Sequence, residues 1–129
     1  MGTYELVIES EFSAAHRLRL PDGSCEPLHG HNWLVEVHLA GPELDDAGML
    51  ADFTHVQPAL TAITAELHDT CLNELPAFHA TSPSTERVAR YVHDRLAPQL
   101  PKSVAIRRVR VWETRQCAAA YVPGASAGD

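Results

Sequence analysis

Basic charge is scarce in this chain. Its 129 residues hold 10 Lys and Arg against 17 Asp and Glu, a formal net charge of −7. No overall positive field therefore draws it to a nucleic-acid backbone or an anionic membrane. A phosphorylated ligand has to be held by a local cluster of basic groups or by a metal. Long apolar runs are also missing, since none approaches the roughly 20 residues that cross a bilayer. The opening stretch MGTYELVIESEF alternates and carries three glutamates, the pattern of neither a secretory leader nor a basic anchor. Cysteine is limited to Cys25, Cys71 and Cys117, an odd number at wide spacing. That argues against a disulfide framework and for a reduced, cytoplasmic protein. Useful internal repeats and linkers are absent too. The 45% hydrophobic and 21% charged residues are those of a globular chain, and the length suits one domain. That domain is expected over residues 1–122, with a small-residue tail, 123–129, expected to be mobile. Against these scarcities stands one excess, eight histidines.

Residues 4–20 alternate, with Leu6, Ile8, Phe12, Ala14, His16, Leu18 and Leu20 on one parity and Glu5, Glu9, Glu11 and Arg17 on the other. This predicts a half-buried strand with His16 facing inward. Pro21-Asp22-Gly23-Ser24 marks a turn. A second strand, HNWLVEVHLAG, puts His31, Trp33, Val35, Val37 and Leu39 on one face and ends at Gly41-Pro42. From about Thr54, the expected cap, Val56, Leu60, Ile63 and Leu67 recur at helical spacing. Residues 73–83, with two prolines, read as loop. A second helix begins near Ser84, with Val88, Tyr91, Val92 and Leu96 as its apolar stripe and Pro98 and Pro101 beyond it. Residues 104–113 read as a strand whose alternation slips at Arg107-Arg108, the mark of a bulge. A last strand spans roughly 117–122. The order ββααββ predicts an α+β fold: an antiparallel four-stranded sheet with two helices on one face. Such a sheet leaves edges that closure of several subunits into a β-barrel would remove.

His29 and His31 lie two apart on a strand and so project from one face. The shared parity with Trp33 and Val35 turns them inward, towards His16 from the neighbouring strand. Three imidazoles with no obvious fourth ligand on that face, apart from Cys25 in the loop, match a catalytic zinc with an open position. The plainer alternative is a set of core histidines satisfied by hydrogen bonds. Cys25 stands four residues before His29; beside a dication its thiol becomes a usable base or nucleophile, and otherwise it is a small buried hydrophobe. Glu113 shares the inward parity of Val109 and Val111. It has to find donors there, either the paired N–H groups of a guanidine-like ligand edge or a neighbouring arginine.

These residues, as FSAAHRL, CEPLHGHNWLVEV, GMLADF, Leu72-Asn73, PSTE at 83–86 and WET at 112–114, resemble the 6-pyruvoyl tetrahydropterin synthase and 6-carboxytetrahydropterin synthase family from about Phe12 to Tyr121. The resemblance implies the tunnelling fold, a trimeric barrel and a homo-hexamer made of two trimers, with active sites between subunits. It implies zinc on His16, His29 and His31, a catalytic Cys25, and a pterin edge anchored by Glu113 with Ser84 and Thr85 near the same ring. The implied substrate is 7,8-dihydroneopterin triphosphate. Cys-x3-His-x-His favours the branch that forms 6-carboxy-5,6,7,8-tetrahydropterin, with loss of acetaldehyde and triphosphate, for queuosine-type 7-deazapurines. The pyruvoyl branch keeps the carbon skeleton.

One interval departs from the family. Its second catalytic pair reads Leu-Asp-His-x-x-Leu-Asn, whereas Leu67-His68-Asp69-Thr70-Cys71-Leu72-Asn73 inverts Asp and His. In a helical turn adjacent side chains point about 100° apart. Either His68 reaches the site through a remodelled turn, or Asp69 takes the base role, or the chain runs a different reaction such as formation of a 6-hydroxymethyl pterin. The plain alternatives are a solvated helix end at His68-Asp69 and a zinc- and pterin-binding protein without turnover. Whether Arg17, Lys102 or Arg115 meets the phosphates stays open at this stage.

Overall fold

The computed structural model describes residues 2–124. The tail expected at 123–129 lies outside these from residue 125 onward. The elements are β1 (Tyr4–His16), β2 (His29–Gly41), α1 (Phe53–Leu67), β3 (Thr70–Cys71), α2 (Thr85–Leu96), β4 (Ala105–Trp112) and β5 (Ala118–Tyr121), with short 3-10 turns between. The sheet runs β3-β1-β2-β4-β5. This corrects the expected four-stranded antiparallel sheet. Thr70 and Cys71 add a fifth strand parallel to Ala14 and Ala15, making the sheet mixed. Two residues are too short to register as alternation, so the sequence pattern hides them.

Alternation sets the inner face. Ile8, Phe12 and Ala14 of β1 meet Val37, Trp33 and His31 of β2 in the antiparallel register, and the ladder closes on His16 opposite His29. β1 ends at His16 instead of running to Leu20; beyond it only Arg19 makes an isolated bridge, to Cys25. The bulge falls where the alternation slips. His38 pairs with Arg108 and Leu39 with Ile106, leaving Arg107 as the extra residue.

α1 buries Val56, Leu60, Ile63 and Leu67, and α2 buries Val88, Ala89, Val92 and Leu96. Both stripes join the inward residues of β1, β2 and β4 in one core. α1 is capped by Asp52, not Thr54: the Asp52 carboxylate accepts from the Thr54 N–H at 2.8 Å and from its hydroxyl at 2.7 Å. α2 starts at Thr85, beside the expected start near Ser84, and Ser84 caps it, its hydroxyl accepting from the Arg87 N–H. Trp33, fully buried, stacks on Phe12 and donates from Nε1 to the Ala14 carbonyl at 3.1 Å. Among the described residues no helix is long and apolar enough to cross a membrane.

Among the described residues no helix covers the opposite face of the sheet. There Glu36 accepts from Trp112 Nε1 at 2.7 Å, lies 3.2 Å from His38 Nε2 and 3.7 Å from an Arg110 guanidinium nitrogen. Burial works to raise the Glu36 pKa, but these partners together hold it below its ordinary value.

Candidate metal centre

The end of the β1–β2 ladder places three imidazole rings over Trp33. Ring centroids are 4.7 Å apart for His16 and His29, 4.8 Å for His29 and His31, and 5.5 Å for His16 and His31. The Trp33 ring lies edge-on beneath, 4.8 Å from His16 and 5.7 Å from His31. His16 Nδ1 is 2.9 Å from the Pro83 carbonyl and His29 Nδ1 is 2.8 Å from the Pro27 carbonyl. A carbonyl only accepts, so each Nδ1 carries a proton, and in the neutral ring that leaves Nε2 with its lone pair. Backbone carbonyls holding the far nitrogen of a ring are what orients metal-binding histidines.

The Nε2 atoms of His16 and His31 are buried and make no hydrogen bond. An imidazole nitrogen left so costs free energy unless something fills its lone pair. Glu113 cannot, although its Oε1 lies 2.9 Å from His16 Nε2 and 3.7 Å from His31 Nε2. With the His16 proton on Nδ1, two electron-rich atoms face each other, an arrangement that a cation reconciles. One donor atom from each of His16, His29, His31 and Glu113 lies within 4.8 Å of the others. Nitrogen and carboxylate donors at this spacing fit zinc. Burial lowers the His31 pKa, partly offset by Glu113, keeping this ring neutral and able to ligate. Besides Cys25, the neighbour considered from the sequence, the structure brings a carboxylate to the three imidazoles. Glu113 reaches the cluster from the turn after β4, where its N–H donates to the Cys117 carbonyl at 3.0 Å. Glu113 sits just past a strand end, where parity says little about reach.

The other expected site residues fall in two places. Cys25 is exposed and lines a cavity with Arg17, Arg19, Ser82 and Arg87. Asp69 lines a different cavity with His31, Ser13 and Asn32. The turn at 68–69 is not helical. His68 is extended and Asp69 has a left-handed φ of 56°. His68 Nδ1 accepts from the Ser13 N–H at 3.0 Å, the Asp69 N–H donates to the Ser13 carbonyl at 2.7 Å, and His68 Nε2 lies 3.3 Å from Asp69 Oδ2. The inverted pair is thus a coupled unit on the edge of β1, with side chains 51% and 78% exposed. Within one chain it does not meet Cys25. Ser84 and Thr85 follow Pro83, whose carbonyl holds His16, so the start of α2 lies beside the centre. Sequence reasoning missed the carbonyls of Pro27 and Pro83, which no side-chain pattern can signal. It also missed Asn73, whose amide accepts from the Arg17 N–H and donates to the Arg17 carbonyl, each at 2.9 Å.

Residues 5–123 match the sequence profile of a family described as 6-pyruvoyl tetrahydropterin synthase. The chain belongs to that family. Its members are pterin synthases, and this chain is an enzyme of that type. Among curated relatives, a dihydroneopterin monophosphate aldolase of Pyrococcus furiosus is 29% identical, over 84% of this chain and 88% of its own. A 6-carboxy-5,6,7,8-tetrahydropterin synthase of Bacillus subtilis is 32% identical, over 76% and 68%. The solved 6-pyruvoyl tetrahydropterin synthase of Caenorhabditis elegans superposes with a TM-score of 0.83 at 24% identity, over 96% of this chain and 98% of its own. That likeness bears on the fold, which in this family member is the helix-backed five-stranded sheet.

Proposed function

We propose that the chain is a zinc-dependent lyase acting on 7,8-dihydroneopterin triphosphate. With one water consumed, the products are 6-carboxy-5,6,7,8-tetrahydropterin, acetaldehyde and triphosphate, a step towards queuosine-type 7-deazapurines in the cytoplasm. One observation carries the reading: buried, unpartnered Nε2 atoms of His16 and His31 converge with His29, and backbone carbonyls hold the rings of His16 and His29 from behind. These three residues hold the metal. Zinc bound there supplies a Lewis acid that steadies negative charge on the oxygens of the substrate side chain. Cys25 moves protons at that side chain. Glu113 binds the amino-pyrimidine edge through two parallel hydrogen bonds, and Ser84 and Thr85 border the same ring. The Cys25-x3-His29-x-His31 spacing and the similarity to the Bacillus relative favour the carboxy-forming branch over the pyruvoyl one.

Incubation of the zinc-loaded protein with 7,8-dihydroneopterin triphosphate should release triphosphate and acetaldehyde, with the pterin product read by mass. Absence of all three from zinc-loaded protein sinks the proposal. Glu113→Gln should keep zinc stoichiometry and weaken pterin binding. Loss of zinc instead would place Glu113 among the ligands and close the open position. Cys25→Ala should keep zinc and lose turnover; unchanged pterin affinity with no turnover in either protein would mean a binding protein only.

A second reading, side-chain cleavage to a 6-hydroxymethyl pterin, is favoured by the His68-Asp69 inversion and by the similarity to the Pyrococcus aldolase. Product mass separates the two. Both readings need a site completed by another copy, because Cys25 and the His68-Asp69 pair lie apart in one chain. A homo-hexamer of two trimers, each closing its sheets into a barrel, supplies that copy. The β1 edge is open ahead of β3, with Tyr4 and Val7 about half exposed.

A further inference from the structure

The chain has nine arginines. Arg90, Arg95, Arg107 and Arg110 are each paired with a carboxylate. Arg17, Arg19 and Arg87 are not; among the described residues no acid lies within 4.0 Å of them. These three converge on one cavity of about 370 Å³, whose lining includes Cys25, Asn73 and Ser82 but no Asp or Glu. In a protein of net charge −7, three unpaired guanidinium groups around an acid-free cavity repel one another unless an anion joins them.

The cavity is fixed to the metal centre by its backbone. Asn73 clamps both main-chain groups of Arg17, the residue after His16. The Arg19 N–H donates to Ser82 Oγ at 3.0 Å, and Arg87 donates to the Ser82 carbonyl at 3.3 Å. The next carbonyl, that of Pro83, holds His16. One two-residue step of chain thus faces the arginines on one side and the histidine cluster on the other.

We propose that Arg17, Arg19 and Arg87 form the subsite for the polyphosphate end of the substrate, lying alongside Cys25. This rests on the reading of the chain as a lyase of a phosphorylated pterin, and it names the groups that select for the phosphates. Guanidinium groups bind phosphate oxygens through paired, charge-assisted hydrogen bonds. Three of them match a chain of phosphates better than a single one. Lys102 and Arg115, the other basic residues considered from sequence, do not line this cavity; Arg115 faces a separate one with Thr114 and Gln116.

Calorimetry of the full-length native oligomer with inorganic triphosphate, pyrophosphate and orthophosphate tests this without any turnover. Affinity should fall in that order. Arg19→Ala and Arg87→Ala should each weaken triphosphate by about tenfold, the loss expected for one charged hydrogen-bonding partner. Arg87→Lys should recover part of it, and Arg90→Ala, one turn along α2, should change nothing. Circular dichroism confirms that each variant is folded. No triphosphate binding by the wild type, or equal binding by folded Arg19→Ala and Arg87→Ala, overturns the proposal. Triphosphate binding that depends on these arginines, in a protein that releases none of the expected products, sustains the subsite and removes the lyase assignment.

Discussion

At the scale of single residues, the proposed metal site allows coordination to be separated from folding. His31 is 21% exposed at its side chain and sits at the mouth of the cluster, whereas His16 is wholly buried. His31→Ala should therefore lower zinc affinity by more than about 100-fold, beyond what loss of an orienting partner costs, and leave the far-ultraviolet dichroism unchanged. Unfolding of this variant would make the site structural. Glu36 gives a prediction of opposite kind. Its pKa is depressed, so the folded chain holds this proton less tightly than the unfolded chain. The resulting stabilisation is full above the ordinary value of 4.5 and is lost as pH falls through the lower, folded value. Glu36→Gln should flatten the acid limb of a stability–pH curve measured by urea unfolding; an unchanged acid limb would show that the Trp112, His38 and Arg110 contacts carry no such weight. The inward turn of His16, His29 and His31 was legible because strand parity dictates it. The approach of Glu113 to within bonding distance was not, because turn geometry beyond Trp112 decides it.

Elements bring these residues together through short segments that carry little pattern. β1 stops at His16, and the three residues that follow are held by side-chain bonds from Asn73, Glu26 and Ser82 to the backbone N–H groups of Arg17, Leu18 and Arg19. Asn73→Ala removes two bonds to the Arg17 backbone and should cost about 1–3 kcal/mol, read by thermal unfolding, with weaker zinc and triphosphate binding together. Asn73→Asp keeps the acceptor and should lose less. A variant that loses stability while both affinities stay intact would refute the positioning role. Periodicity exposed the helices, the two long strands and the bulge at Arg107, since each repeats an apolar spacing over several residues. It could not expose β3 or the left-handed Asp69, since two residues have no period. Nor could it say whether the turn around His68 and Asp69 is helical: α1 ends at Leu67, and the chain bends back to pair with Ser13.

The whole molecule is one helix-covered sheet with a bare second face and open edges. Leu34, Glu36, His38 and Trp112 on that bare face are only partly buried in the single chain. Native mass spectrometry should give an assembly in a multiple of three, and chelation of zinc should leave the number of subunits unaltered, because β1 and β2 pair through their backbones and not through the imidazole rings. A monomer at micromolar concentration would refute the barrel. Overall charge excludes partners from the sequence alone, yet it concealed the local positive cavity. Arg17, Arg19 and Arg87 are dispersed over seventy positions, and only folding gathers them.

The carbonyls of Pro27 and Pro83 that hold His29 and His16 belong to the main chain, and exchanging side chains cannot delete them. The partners that set the His16 and His29 tautomers are thereby insulated from side-chain exchange. Laboratory redesign of the pocket can thus change side chains around the cluster while those two rings keep their backbone partners.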